Sequence, residues 1–121
     1  RKWLCRIDED NRLRAQNAKL LNEMLSPSIP RPEDQPDAEN IYWLYMLLAE
    51  DPARISRLLL SSGIDTGTFF MGNCADSGFA NSERAAKSSL QIPVTPHTGE
   101  KTIARIAAAL NKAYRRAQKE K

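Results

Sequence analysis

Residues 40–72, NIYWLYMLLAEDPARISRLLLSSGIDTGTFFMG, are the stretch from which the fold is predicted. They open with eight consecutive apolar residues, 41–48, which include three aromatic side chains and neither Gly nor Pro. This run is too short to span a bilayer, and its aromatic content favours a strand over a helix. An apolar run without alternation is typical of a strand that is buried on both faces.

A helix is predicted directly after this strand. Asp51 can accept hydrogen bonds from the backbone N–H groups of a first helical turn, and Pro52 suits the first helical position. The apolar residues that follow fall on one helical face: Ile55, Leu58 and Leu59. Gly63 can end the helix in a left-handed conformation, with Ile64 folded back on the last turn. Residues 66–70 then predict a second strand, so residues 40–72 form a strand–helix–strand unit.

The composition is that of one globular domain. The 121 residues are 41% hydrophobic and 27% charged, with a net charge of +3. This mild charge gives no indication of nucleic acid, and no segment is typical of a signal peptide or a membrane helix. A cytoplasmic protein without a membrane partner is therefore expected. Cys5 and Cys74 are too few for a disulfide scaffold, so two reduced thiols are favoured over a single bridge.

The N-terminal part predicts a helix and then an extended connection. Across residues 3–25, apolar side chains recur at helical spacings: Trp3, Leu4, Ile7, Leu13, Leu20, Leu21, Met24 and Leu25. Residues 26–39, SPSIPRPEDQPDAE, contain four prolines and four acidic residues. Proline fixes φ and lacks a backbone donor, so this segment is predicted to be an extended linker.

The C-terminal part predicts a loop, a short helix, a strand and a long helix. Asn81 can cap a helix over residues 82–87, and residues 90–94 alternate as an edge strand because Pro93 cannot donate to a ladder. Residues 96–99 form a turn before a last helix over 100–118, whose predicted buried stripe is Ile103, Ile106, Ala107, Leu110 and Tyr114.

This order of elements predicts an α/β (α+β) two-layer sandwich, in which a small three-stranded, mostly antiparallel sheet packs with helices. Residues 1–25 are assigned to an interdomain-type helix, 26–39 to a Pro-rich acidic linker and 40–121 to a small α/β domain.

The side chains needed for a complete catalytic site are missing. His97 is the single histidine and lies in a turn, whereas a zinc site needs three or four ligands. Neither cysteine has a histidine near it in sequence, and no Gly-rich phosphate loop occurs. No catalytic residue, cofactor-binding residue or metal ligand is therefore assigned.

One loop is a candidate functional surface. Residues 68–74, TFFMGNC, follow the second predicted strand and carry two large aromatic side chains. Either Phe69 and Phe70 alternate between core and solvent, or an outward ring contacts a partner surface. Thr68, Phe69, Phe70 and Asn73 are the substrate-facing candidates.

Several segments resemble motifs of one family. Residues 40–45, NIYWLY, resemble an aromatic strand, and residues 62–67, SGIDTG, resemble a G-I-x-T turn. Residues 79–96, FANSERAAKSSLQIPVTP, fit F-P-x-A-E-R-x-A followed by L-x-L-P-x-x-P, and residues 103–106 continue in register. These motifs are similar to those of the DegT/DnrJ/EryC1/StrS sugar aminotransferases, in which residues 1–25 would match the helix joining two domains.

The resemblance implies the small C-terminal domain of an enzyme with the aspartate aminotransferase fold. Such enzymes use pyridoxal phosphate to transfer an amino group, usually from glutamate, to a keto nucleotide-sugar in polysaccharide, lipopolysaccharide or antibiotic sugar synthesis. The Schiff-base lysine and phosphate cradle lie in the preceding large domain. The implied partners are that domain, a second subunit in a homodimer and the nucleotide-sugar, while the fragment itself binds no cofactor and is not catalytic. A start at Arg1-Lys2-Trp3 without Met agrees with a fragment.

The sequence departs from the family pattern where Phe69-Phe70 replaces the His-Tyr of many members.

The alternative interpretation is a stand-alone α/β interaction module that binds an acidic partner through the basic end of its last helix: Arg115, Arg116, Lys119 and Lys121. Salt-dependent binding would distinguish this alternative, because phosphate contacts weaken steeply with salt.

Overall fold

The computed structural model of the chain describes residues 4–68 and 78–119. A 3-10 turn at Leu4–Arg6 leads into helix α1, Ile7–Met24, and strand β1 follows at Tyr45–Leu48. Helix α2 spans Pro52–Leu60, helix α3 spans Ala80–Ser88, strand β2 spans Ser89–Ile92, and helix α4 spans Glu100–Lys119. The described residues are therefore a mixed α/β structure, as predicted.

The two strands are antiparallel, with Tyr45 opposite Ile92 and Leu48 opposite Ser89. On the other side of β2, Gly67 forms an isolated bridge with Gln91, whose N–H donates to the Gly67 carbonyl at 2.7 Å. The predicted strand over residues 66–70 is thus a single bridge in its described part, and the three-stranded sandwich is not confirmed. Gly67 has no side chain to pack on a sheet, which disfavours a regular strand there. Because it is paired on both sides, β2 is not the edge strand that was predicted.

Only half of the apolar run at residues 41–48 forms a strand, so the predicted eight-residue strand is wrong. Tyr42 has φ +48°, a left-handed conformation that ends the extended backbone and costs about 1–3 kcal/mol in a non-glycine residue. Within β1, Tyr45 and Leu47 are fully buried while Leu48 is 43% exposed. The strand is therefore buried on one face and not on both, as expected for an antiparallel sheet with one covered face.

Local signals around α2 are confirmed. The Asp51 carboxylate accepts a hydrogen bond from the Arg54 N–H at 2.9 Å, and Pro52 is the first helical residue. Gly63 has φ +73°, where a side chain would be strained. The Ile64 N–H donates to the Leu59 carbonyl at 3.0 Å, and Ile64 is buried, so the chain folds back on the last turn.

Helix α1 is buried over its C-terminal half only. Its fully buried residues are Ala18 and Leu21, whereas residues 4–14 include no buried side chain. Leu4 and Ile7, which were assigned to the apolar stripe, are 69% and 50% exposed. The first turns of α1 therefore extend beyond the core.

The proline-rich segment, residues 26–39, is neither helix nor strand; it contains two turns, closed by backbone hydrogen bonds from Ile29 to Ser26 and from Ala38 to Gln35, and it is attached to its neighbours. Ile29 is buried in the common core, and the Ser26 N–H donates to Asn111 Oδ1 of α4 at 2.8 Å. Further along, Arg31 donates to the Asn22 carbonyl, and Asp34 accepts from the Tyr42 hydroxyl. The segment is therefore held against α1, α4 and the turn before β1.

Helix α3 begins earlier than predicted. Phe79 is its N-cap residue and makes no side-chain cap, so the predicted capping role of Asn81, which lies inside the helix, is wrong. Glu83 instead accepts a hydrogen bond from the Gly78 N–H at 3.3 Å. β2 ends at Ile92 because Pro93 has no N–H to continue a ladder.

Helix α4 confirms its predicted apolar stripe. The five predicted side chains are all buried, and α4 packs against both α1 and α2. These residues join the side chains of α1, β1, α2 and β2 in one hydrophobic cluster. A single core therefore serves all the described elements except the 3-10 turn and α3, neither of which contributes a buried residue.

Candidate functional site

Thr68 is the predicted site residue that the structure describes, while Phe69, Phe70 and Asn73 lie outside the described residues. Thr68 is partly buried and follows the bridge between Gly67 and Gln91. One residue further back, the Thr66 hydroxyl donates to the Ser56 hydroxyl of α2 at 2.7 Å. Thr68 thus directly follows two residues, Thr66 and Gly67, that are attached to α2 and β2. That the four residues face one substrate stays a prediction.

Exposed apolar side chains were not identified from the sequence. Trp43 is 71% exposed, Phe79 62% and Ile41 47%. Trp43 and Ile41 flank the left-handed Tyr42, and Phe79 precedes α3. Asn40, whose Oδ1 accepts the Tyr42 N–H at 3.1 Å, is a sequence signal for a turn here, but it does not indicate that Ile41 and Trp43 are exposed.

A cleft of about 230 Å³ lies where β1 ends, α2 begins and α4 ends. The Tyr114 hydroxyl at this cleft donates to the Leu48 carbonyl at 3.3 Å. Its apolar wall is formed by Pro30, Leu48, Ala49, Ile55 and Ala117, and its polar lining by Glu50, Asp51, Arg54 and Gln118. This volume is below the usual range for small-molecule sites, about 300–1,000 Å³, so the cleft alone does not define a ligand site.

The tyrosines are structural hydrogen-bond donors rather than acid–base groups. Burial, with a smaller contribution from the hydrogen bond to Asp34, raises the pKa of Tyr42 to about 12. Burial also raises the pKa of Tyr45, whose hydroxyl donates to Asn22 Oδ1, and raises the pKa of Tyr114 to about 12. A general base needs a pKa near the working pH, which these groups do not have.

The metal-ligating side chains of residues 4–68 and 78–119 are dispersed. No group of three His, Cys, Asp or Glu side chains in these ranges could hold a metal ion. His97 is exposed in its turn, as predicted. Cys5 is exposed too, and Cys74 lies outside the described ranges. Among the helices described, none combines the length and the apolar character that crossing a membrane requires.

The basic end of α4 lies on the surface. Arg115, Arg116 and Lys119 are exposed, and Lys121 is outside the described residues. The Arg115 guanidinium donates to the Asn111 carbonyl of its own helix at 3.2 Å. Cations in a last helical turn are stabilised by the helix dipole and by free carbonyls, so this cluster requires no ligand.

Comparison with solved structures shows which proteins contain a part with this fold. An aminotransferase of the DegT DnrJ EryC1 StrS family from Brucella abortus superposes with a TM-score of 0.79 at 18% identity, over 90% of this chain and 32% of its own. The sugar aminotransferase CalS13 from Micromonospora echinospora gives 0.76 at 26% identity, with the same coverage of 90% and 32%. The aminotransferase TlmJ from Streptoalloteichus hindustanus gives 0.81 at 17% identity, over 95% of this chain and 34% of its own.

The chain therefore has an aminotransferase fold and spans about a third of the length of the structures it matches. The resemblance to the DegT/DnrJ/EryC1/StrS sugar aminotransferases is confirmed at the level of structure. No protein-family model matches the sequence, and no curated protein matches it either.

Proposed function

We propose that these 121 residues are the C-terminal small domain of a pyridoxal-phosphate-dependent aminotransferase that acts on a keto nucleotide-sugar. The observation that carries this proposal is the superposition of 90% of the chain on about a third of several sugar aminotransferases. The identity of 26% with CalS13 supports the sugar class in particular. The sugar product would serve polysaccharide, lipopolysaccharide or antibiotic synthesis in the cytoplasm.

The lysines that the structure describes do not fit the cofactor. Pyridoxal phosphate supplies an electron sink, and enzymes hold it through a lysine whose pKa is lowered by a desolvated pocket. Every lysine that the structure describes is exposed: Lys19, Lys87, Lys101, Lys112 and Lys119. We propose that the cofactor binds the preceding large domain of the parent protein and that this chain takes a positioning role.

The positioning role is assigned to residues 68–73. Gly67 pairs with Gln91 of the sheet, and Thr66 donates a hydrogen bond to Ser56 of α2. The backbone directly before Thr68 is therefore fixed by the fold. A loop that leaves a rigid scaffold is a common place for binding residues. We propose that Thr68, Phe69, Phe70 and Asn73 face the substrate or the neighbouring subunit of a homodimer.

A transaminase assay on two proteins tests the proposed function. The full parent, incubated with glutamate alone, should convert bound cofactor to its amine form, and should form an amino sugar once a keto nucleotide-sugar is added. The 121-residue chain under the same conditions should do neither. A matched control treats both proteins with borohydride and pyridoxal phosphate, then locates any labelled lysine by mass spectrometry. A saturable label at one lysine of the short chain, or a parent that binds no cofactor, contradicts the proposal.

A further inference from the structure

The turn before β1 maintains a strained backbone. Tyr42, with φ +48°, is the one non-glycine residue with positive φ in the part of the chain that the structure describes. Bulky side chains rarely adopt this conformation, and such outliers persist only where surrounding contacts hold them. The turn thus needs a structural cause.

That cause is the buried ring of Tyr42. The ring is 5% exposed and stacks on Tyr45 with a centroid separation of 6.0 Å. Its hydroxyl donates to Asp34 at 2.5 Å, and its backbone N–H donates to Asn40 Oδ1 at 3.1 Å. Burial of the ring and three contacts, one each with Tyr45, Asp34 and Asn40, therefore hold Tyr42 in an unfavourable backbone conformation.

The consequence is that both neighbours of Tyr42 lie in solvent. Trp43, at 71% exposure, is the most exposed large apolar side chain among the described residues, and Ile41 is 47% exposed. A tryptophan held on a rigid turn is the typical anchor of a protein–protein contact. Presenting it to water gives the isolated fold no stability, whereas covering it by a second surface would.

The charges next to the turn indicate the receiving surface. Glu33, Asp37 and Glu39 precede the turn and are exposed. The cation of the same segment, Arg31, is partly buried and donates to the Asn22 carbonyl. The segment leading to Trp43 therefore exposes acidic side chains, and a surface complementary to it has an apolar recess with a basic rim.

We propose that Ile41 and Trp43 dock into such a recess on the part of the parent polypeptide that lies outside these 121 residues. The matched solved structures leave about two-thirds of their own length uncovered by this chain, so the same polypeptide offers a large adjoining surface. This inference rests on the proposed function, and it names the residues through which the small domain contacts the rest of its chain.

Site-specific photo-cross-linking in the full parent protein tests this docking. Trp43→p-benzoylphenylalanine is compared with Leu60→p-benzoylphenylalanine, a control on α2 with 60% exposure. Equal amounts of light and heavy isotope-labelled protein are mixed, so that mass spectrometry separates links within one chain from links between copies. The probe at position 43 should link within one chain to residues that precede Arg1, and the probe at position 60 should not.

Links from position 43 to a second copy, links only within residues 1–121, or a yield equal to that of position 60 would overturn the inference. In addition, Trp43→Ala should lower the Tm of the full parent by several degrees and leave the Tm of the 121-residue chain unchanged. Equal Tm losses in both proteins would show a local structural role instead. Aminotransferase activity measured on the same parent preparation is a separate readout, so docking and the proposed function can fail independently.

Discussion

Asn111 joins three segments, and its removal should destabilise the chain measurably. Its Oδ1 accepts the Ser26 N–H at 2.8 Å, and its Nδ2 donates to the Met24 carbonyl at 3.0 Å. These contacts attach the end of α1 and the start of the proline-rich segment to α4. An intramolecular hydrogen bond contributes about 0.5–1.5 kcal/mol net, so losing both predicts a loss of about 1–3 kcal/mol.

The change to test is Asn111→Ala. Alanine has the higher helix propensity, which restores up to about 0.7 kcal/mol in α4. With this gain taken in full, the expected net loss in the free energy of unfolding is about 0.3–2.3 kcal/mol. Urea denaturation followed by circular dichroism measures it, with an m-value that should not change because the same surface is exposed on unfolding.

The control is Lys112→Ala, at the exposed neighbouring position of the same helix. A surface substitution of this kind usually changes stability by less than about 0.5 kcal/mol. An Asn111→Ala variant that unfolds at the same urea concentration as Lys112→Ala would refute the reasoning, because the two hydrogen bonds would then contribute nothing.

Alkaline pH should destabilise the fold, because the pKa values of Tyr42 and Tyr114 are raised to about 12 from an ordinary value of 10. The stability that these two groups contribute is fully present below pH 10 and is lost as the pH rises towards 12. Ultraviolet titration of the tyrosines, combined with urea unfolding at each pH, checks this. Amide exchange should be slow across Tyr45–Leu48 and faster at residues 41–44; rapid exchange throughout β1 would disprove its pairing. Replacing Phe69 and Phe70 with Ser should cost the isolated chain little stability, whereas a loss near the roughly 3–5 kcal/mol of a truncated core Phe would assign them to the core.

Only those features of the candidate site that depend on which residue types are present could be predicted from the sequence. Sparse His and Cys predict that the chain lacks metal-binding and nucleophile–base arrangements, and this stays a prediction; within residues 4–68 and 78–119 no group of His, Cys, Asp and Glu could hold a metal ion. The exposed pair Ile41 and Trp43 could not be inferred, because an apolar run is also what a buried strand requires. Their exposure depends on Asp34 and Tyr45 holding Tyr42, a set of contacts between residues that no periodicity relates.

Elements whose causes lie within a few residues followed from the sequence by itself. The Asp51 cap, the left-handed Gly63 and the stripe of α4 each depend on backbone groups or faces of one helix. Backbone hydrogen bonding and helical periodicity act over one or two turns, so they are encoded where they act. The motif order over residues 40–106 also indicated the aminotransferase fold that the structural comparison confirmed.

Only the tertiary structure decided how much of each apolar pattern is buried and how much of each predicted element forms. Half of α1 is buried because its C-terminal half lies in the common core, and residues 26–39 are held by Asn111 and Tyr42. The strand at residues 41–48 is shortened because β2 pairs with its last four residues and the buried Tyr42 ring turns the backbone before them. These outcomes depend on contacts between residues as many as 87 positions apart, and such contacts form only when the core assembles.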